Sequence, residues 1–170
     1  MKLIPATHEQ AFCEFAAAMA PRLFRSALLM TGGDWHLTED LVQATLAKVY
    51  VGWRKVENAD SSEAYARGML TKTFLSHKRV RRNAELPGLE LVPELADTGA
   101  HASQRVELFE ALRTLEPLDR AVVVLRYWED RSVDDTARAV GMTAGAVRTR
   151  ASRALARLRV QLTDTTAAGS

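Results

Sequence analysis

The chain has 170 residues, 47% of them apolar and 26% charged, so it can bury a core and is not a disordered tail. Aromatics reach only 6%, with nine Gly and five Pro; this argues against a sandwich or barrel of many short strands and turns, while its Ala, Leu and Arg runs favour helix. The formal net charge of +2 is too small to imply a nucleic-acid partner by itself.

Over residues 12–30 apolar side chains recur at helical spacing (Phe12, Phe15, Met19, Leu23, Ala27, Met30), and Thr31-Gly32-Gly33-Asp34 then breaks the pattern. Pro21 is a candidate kink. A second helix is expected from Thr38 as N-cap, with Glu39 and Asp40 in its first turn, through Leu41, Val42, Leu46, Val49, Tyr50 and Trp53. It should stop before residues 58–62. Ser62-Glu63 opens a third helix, carrying Tyr65, Met69, Leu70, Phe74 and Leu75, whose far end is strongly basic.

Residues 83–103 hold four acids, two Pro, two Gly and neither Lys nor Arg, and read as a flexible acidic linker. The chain thus divides into a helical module over 1–82, the linker, a second helical module over 104–162, and a short polar tail over 163–170 that is expected to fray. The second module reads as four helices: 104–115; 118–128 with Pro117 in its first turn; 133–140 capped by Ser132; and 144–162 capped by Thr143. Fully extended, the linker reaches at most ~70 Å, about two turns of B-DNA.

Ala137, Gly141 and Val147 have the spacing of a helix-turn-helix. Ala permits close helix approach, Gly supplies the tight turn and Val packs the second helix on the first. On a wheel centred on Val147, Ala151, Ala154, Leu155 and Leu158 fall within about 80°, while Arg148, Thr149, Ser152 and Arg153 occupy the opposite arc. That face suits the major groove: Arg pairs with guanine O6 and N7, and Thr and Ser donate or accept. Arg150 and Arg157 on the flank can reach phosphates. Residues 143–160 carry five Arg and no acid, and residues 72–82 five Lys or Arg and no acid, so two basic segments flank the acidic linker.

LEPLDRAVVVLRYWEDRSVDDTARAVGMTAGAVRTRASRALARLR resembles the fourth region of bacterial sigma-70-type transcription initiation factors. TEDLVQATLAKVYVGW followed by AYARGMLTKTFLSHKRVRR resembles their second region. Only these two regions are present, joined by a short linker, so the resemblance is to the extracytoplasmic-function group of alternative sigma factors. It implies an all-α fold of two small domains and a factor that directs core RNA polymerase to promoter DNA.

The resemblance also implies residue roles. Asp40 and Gln43 match the positions that dock on the clamp coiled coil of the polymerase largest subunit, with Leu41, Leu46 and Trp53 as supporting packing; the second domain would meet the polymerase flap. Asn58, Asp60 and Ser61 would border the pocket for a flipped minus-ten base, with Lys72, Thr73, His77, Lys78 and Arg79 offered to the strand and its phosphates. Tyr65 stands where the family often has Trp, and Lys72-Thr73 where it often has Arg-Asn. Arg148, Thr149, Ser152 and Arg153 would read the minus-thirty-five element, with Arg150 beside them. Glu85, Glu90, Glu94 and Asp97 of the linker would mimic nucleic acid in the polymerase's basic path. An anti-sigma protein is a further partner the resemblance implies.

An enzyme is not expected. His8, His36, His77 and His101 are scattered, no Gly-rich phosphate loop appears, and Cys13 is the only cysteine, which excludes an intramolecular disulfide and a multi-cysteine metal site. No cofactor or metal is expected. The N-terminus lacks an apolar signal core and no segment approaches the ~18 apolar residues of a membrane span, so a cytoplasmic protein is expected. The rival class is a stand-alone helix-turn-helix regulator that binds duplex DNA without polymerase. Such output domains usually follow an α/β receiver, and residues 1–82 show no alternation of strands and helices.

Overall fold

The computed structural model describes residues 7–84 and 100–168, with side chains over 7–77 and 101–168. The described residues form α1 (His8–Met30), α2 (Trp35–Val51), α3 (Trp53–Glu57), α4 (Ser62–Ala84), α5 (Ala100–Arg113), α6 (Pro117–Val123), a π-helical segment (Val124–Trp128), α7 (Val133–Val140) and α8 (Ala144–Ala168). The fold is all-α, as the composition implies.

Local chemistry sets most boundaries. Thr7 caps α1 by accepting from the Gln10 amide, and the Gln10 side chain returns a bond to the Thr7 amide. Pro21 leaves α1 unbroken. At the far end of α1 the amides of Gly32 and Gly33 bond back to Leu29 and Leu28 carbonyls, and both glycines have positive φ, +67° and +88°. Ser132 caps α7 by accepting from the Asp135 amide, and Thr143 accepts from Ala146.

Several expectations are corrected. The cap of α2 is Asp34, which accepts from the Leu37 amide, and not Thr38. Starting at Trp35 brings Leu37 into the core, while Thr38 is buried and its hydroxyl donates to the Asp34 carbonyl. Asp40 therefore lies in the second turn, farther from the positive end of the helix than expected. The helix breaks at Gly52 before Trp53, and the helix after Pro117 widens into the π-helical segment. The linker expected over 83–103 loses its ends to α4 and α5; its remainder, with Glu85, Glu90, Glu94 and Asp97, lies outside the described residues. In place of a frayed tail, α8 continues to Ala168. Nothing before Gly169 breaks it, and the hydroxyls of Thr163, Thr165 and Thr166 fold back onto carbonyls one turn earlier.

The N-terminal bundle packs Met19, Leu23, Ala27 and Met30 of α1 against Leu41 and Val49 of α2, Val56 of α3 and Leu70 and Phe74 of α4. Each of the larger side chains contributes about 1.5–3 kcal/mol by leaving water. In the C-terminal part, Val122, Ala137, Val147 and Ala151 form one cluster, and Leu112, Leu115, Val123, Ala154 and Leu158 another. Ala121, Val124 and Leu125 belong instead to the N-terminal core. The two bundles therefore pack against each other and do not stand apart.

Candidate nucleic-acid interface

The C-terminal face is built from a tight turn. Gly141 has φ +71° and nothing within 4 Å of where a Cβ would stand, so it is needed for backbone shape and not for space. It turns α7 into α8 so that fully buried Val147 meets Ala137. With Val147, Ala151, Ala154 and Leu158 buried, the same helix leaves Arg148, Thr149, Ser152 and Arg153 exposed. The Thr149 hydroxyl donates to the Gly145 carbonyl, which leaves its lone pairs outward. A shallow groove of about 440 Å³ runs beside them, lined by Met142, Gly145, Thr149, Arg150 and Arg153 among others.

Arg150 differs from its neighbours. Its guanidinium bonds the Asp119 carboxylate at 2.7 Å, tying α8 to α6. Arg157 likewise donates to the Thr114 carbonyl at 3.2 Å. Both sit on the flank from which an Arg can reach phosphates, and each also has a partner within the fold.

On the N-terminal bundle, Asn58, Asp60 and Ser61 are exposed in the turn between α3 and α4. The Asn58 amide donates to the Arg54 carbonyl at 2.7 Å and the Ser61 hydroxyl accepts from the Ala64 amide, so both side chains also hold helix ends. Lys72 is exposed and His77 half-buried on α4. Thr73 is the correction here: it is only 6% exposed. Its hydroxyl donates to the Met69 carbonyl at 2.8 Å and accepts from the Lys48 ammonium at 3.2 Å, a link between α4 and α2. A hydroxyl committed to these partners inside the bundle does not face an open strand. The side chains of Lys78 and Arg79 lie outside the described ones.

Asp40 and Gln43 are exposed together with Ala47 on one face of α2. Leu41 and Trp53 are buried and Leu46 half-buried beneath them. Trp53 stacks edge-on to Phe12 at 5.6 Å and tilted on Phe15 at 5.1 Å, which fixes α3 on α1.

Sequence reasoning missed Arg113 and Arg120. Arg120 is 6% exposed and has no carboxylate partner among the described residues; its Nε donates to the Leu112 carbonyl, Nη1 to Met30 and Nη2 to Leu115, at 2.9, 2.9 and 3.0 Å. Burial and the nearby Arg113 push its pKa down to about 10, so it remains charged at neutral pH. Arg113 Nε donates to the Gly32 carbonyl at 2.7 Å. No local pattern marks these partners, which lie 81 and 90 positions away in the cross-bundle pairs. Also unforeseen is the exposure of Tyr127 and Trp128 on the π-helical segment.

Among the described residues no group of His, Cys, Asp or Glu is placed to hold a metal ion, and no helix is long and apolar enough to cross a membrane. Residues 15–84 match the family description "Sigma-70 region 2" and residues 105–158 "Sigma-70, region 4". The chain is 37% identical over 153 residues to the RNA polymerase sigma-E factor of Streptomyces coelicolor, covering 89% of this chain and 85% of that protein. It is 38% identical over 126 residues to the sigma-E factor of Streptomyces antibioticus, covering 73% and 69%. Its fold resembles the sigma factor RpoE crystallised with the anti-sigma factor NepR from Bartonella quintana, with a TM-score of 0.72 at 24% identity over 91% of this chain and 98% of that one. Two family regions in order, with relatives of matching length, place the chain in the sigma-70 family of RNA polymerase sigma factors, in its extracytoplasmic-function group.

Proposed function

We propose that this chain is a non-catalytic initiation factor that binds core RNA polymerase inside the cell and sets where it starts on promoter DNA. The observation that carries this reading is the α8 surface, where Arg148, Thr149, Ser152 and Arg153 stand exposed on the helix-turn-helix with their buried stripe behind them. Residues 104–162 would read the minus-thirty-five element in the major groove through these side chains. Residues 1–82 would hold core enzyme through Asp40 and Gln43 and take the opened minus-ten strand along Asn58, Asp60, Ser61, Lys72, His77, Lys78 and Arg79. Extruding a base costs a few kcal/mol, so this part and the polymerase together must offset the unstacking. An anti-sigma protein that covers the polymerase-binding faces fits as a further partner.

Run-off transcription with core enzyme on a genomic fragment library tests the reading. Defined new start sites that need this chain are expected. Gel shift supplies the contrast: specific, strand-opening binding should require core enzyme. Tight specific binding of duplex DNA by the chain alone, with no change in start sites, would replace the reading with that of a stand-alone regulator.

A further inference from the structure

The pair of Asp119 and Arg150 stands inside the groove beside α8. Asp119 lies in the first turn of α6, ahead of the helix-turn-helix and 31 positions before its partner. An acid there favours the helix dipole, yet a bare carboxylate beside a face meant for phosphates opposes their approach. Its charge is taken up by Arg150 at 2.7 Å, with the two side chains 19% and 36% exposed. A pair this close to water adds little stability, so the placement asks for a second reason.

The other walls of the groove suit an anion. Gly145 has nothing within 4 Å of where a Cβ would stand, so the first turn of α8 leaves the groove open. Thr149 and Arg153 line it farther along the helix, and both are exposed. Arg150 and Arg153 outweigh Asp119, which makes the lining net positive. Asp119 engages Nη1 of Arg150, and a guanidinium carries five N–H donors in a planar fork, so donors remain for a second acceptor. A free Arg gives up rotamer freedom when it meets such an acceptor; one already held has little left to lose. We propose that Asp119 is a positioning residue for promoter binding: its carboxylate holds Arg150 so that the remaining N–H groups take one phosphate of the duplex backbone in this groove, beside the bases met by Arg148, Thr149, Ser152 and Arg153. The phosphodiester has the matching charge and the paired acceptor oxygens. This assignment rests on the function proposed above.

The test uses the full-length chain with core enzyme, on a promoter found by run-off transcription. Wild type is compared with Arg150→Ala, Asp119→Ala, Asp119→Glu and the double variant Asp119→Ala/Arg150→Ala. Circular dichroism and thermal melting verify folding, and each is assayed well below its Tm. Ethylation interference reads each backbone phosphate, and the salt dependence of affinity counts them. Arg150→Ala should erase one phosphate from the wild-type pattern and flatten the salt slope by about 1, with base preference intact. Asp119→Ala should erase the same phosphate, although it removes no cation, and weaken binding about two- to tenfold. Asp119→Glu should restore that phosphate, and the double variant should bind no worse than Arg150→Ala. A pattern that Arg150→Ala leaves unchanged shows that Arg150 touches no phosphate and overturns the proposal. An Asp119→Ala variant that melts lower but keeps the phosphate reduces the pair to a tie between helices; one that keeps it and binds more tightly has lost only a repulsive charge. Either result overturns the positioning role. Wild-type holoenzyme that selects no start site sinks the initiation-factor reading, and the phosphate contact falls with it.

Discussion

Replacing Arg120 by Met keeps much of the side chain's length and apolar stem while deleting every N–H it offers. The three carbonyls of Met30, Leu112 and Leu115 then lose their donor. Bonds from a charged donor are worth about 1.5–3 kcal/mol each, so roughly 5–9 kcal/mol of gross interaction disappears. Against this stands the cost of keeping the cation out of water beside Arg113: the fall of its pKa to about 10 corresponds to about 3 kcal/mol. The net loss should be about 2–6 kcal/mol, which for a chain of this size lowers Tm by roughly 4–24 °C. Urea unfolding followed by helical circular dichroism measures it. Arg120→Lys should recover little, because one ammonium on a flexible stem cannot span three carbonyls held by a planar fork. Arg120 is protonated in folded and unfolded chains alike below about pH 10, so the difference between wild type and Arg120→Met should stay flat from about pH 6 to 9. Above that range the folded chain releases the proton first, so this group's contribution favours the folded state as pH rises further, opposite to loss of an ion pair. A Met variant within about 0.5 kcal/mol of wild type would show that burial of the guanidinium costs as much as its bonds return, and the account of the helix ends would be wrong.

The two kinds of glycine separate space from backbone shape. Gly141→Ala meets nothing within 4 Å and should lose only about 1 kcal/mol, the cost of a left-handed residue, whereas Gly33→Ala also drives its methyl into Phe109 and should lose about 2–4 kcal/mol by denaturant titration; equal losses would remove the close-approach argument. Arg148→Ala and Arg153→Ala should each cost about 1–3 kcal/mol at particular bases and relax preference there, while Lys78→Ala should weaken binding across sequences and flatten its salt dependence. Quantitative footprinting with core enzyme separates these outcomes, and equal, sequence-independent losses for all three reject the assignment of base readers. Arg150→Ala should behave differently again: with its partner Asp119 partly buried, it should lose up to about 1 kcal/mol of stability with base preference intact in the same footprints.

Much of this protein could be read from short-range pattern. The Ala137, Gly141 and Val147 spacing, the Ser132 and Thr143 caps and Pro117 in a first turn depend on neighbours three to ten positions away, where helical periodicity and capping chemistry act. They were enough to place a polar, basic face on α8 opposite a buried stripe. The same rules faltered where two local answers compete. Asp34 and Thr38 are both cap formers, and burial of Leu37 decided between them; Thr73 looked like a strand contact until α2 brought Lys48 to its hydroxyl. The internal partners of Arg150 and Arg157 left no local signal, because Asp119 and the Thr114 carbonyl lie 31 and 43 positions away. Docking of one bundle on the other was beyond any pattern in the chain. It depends on a buried cation meeting the carbonyl ends of helices distant in sequence and on glycines whose missing side chains matter only once another helix lies over them, and such partners are chosen by three-dimensional packing.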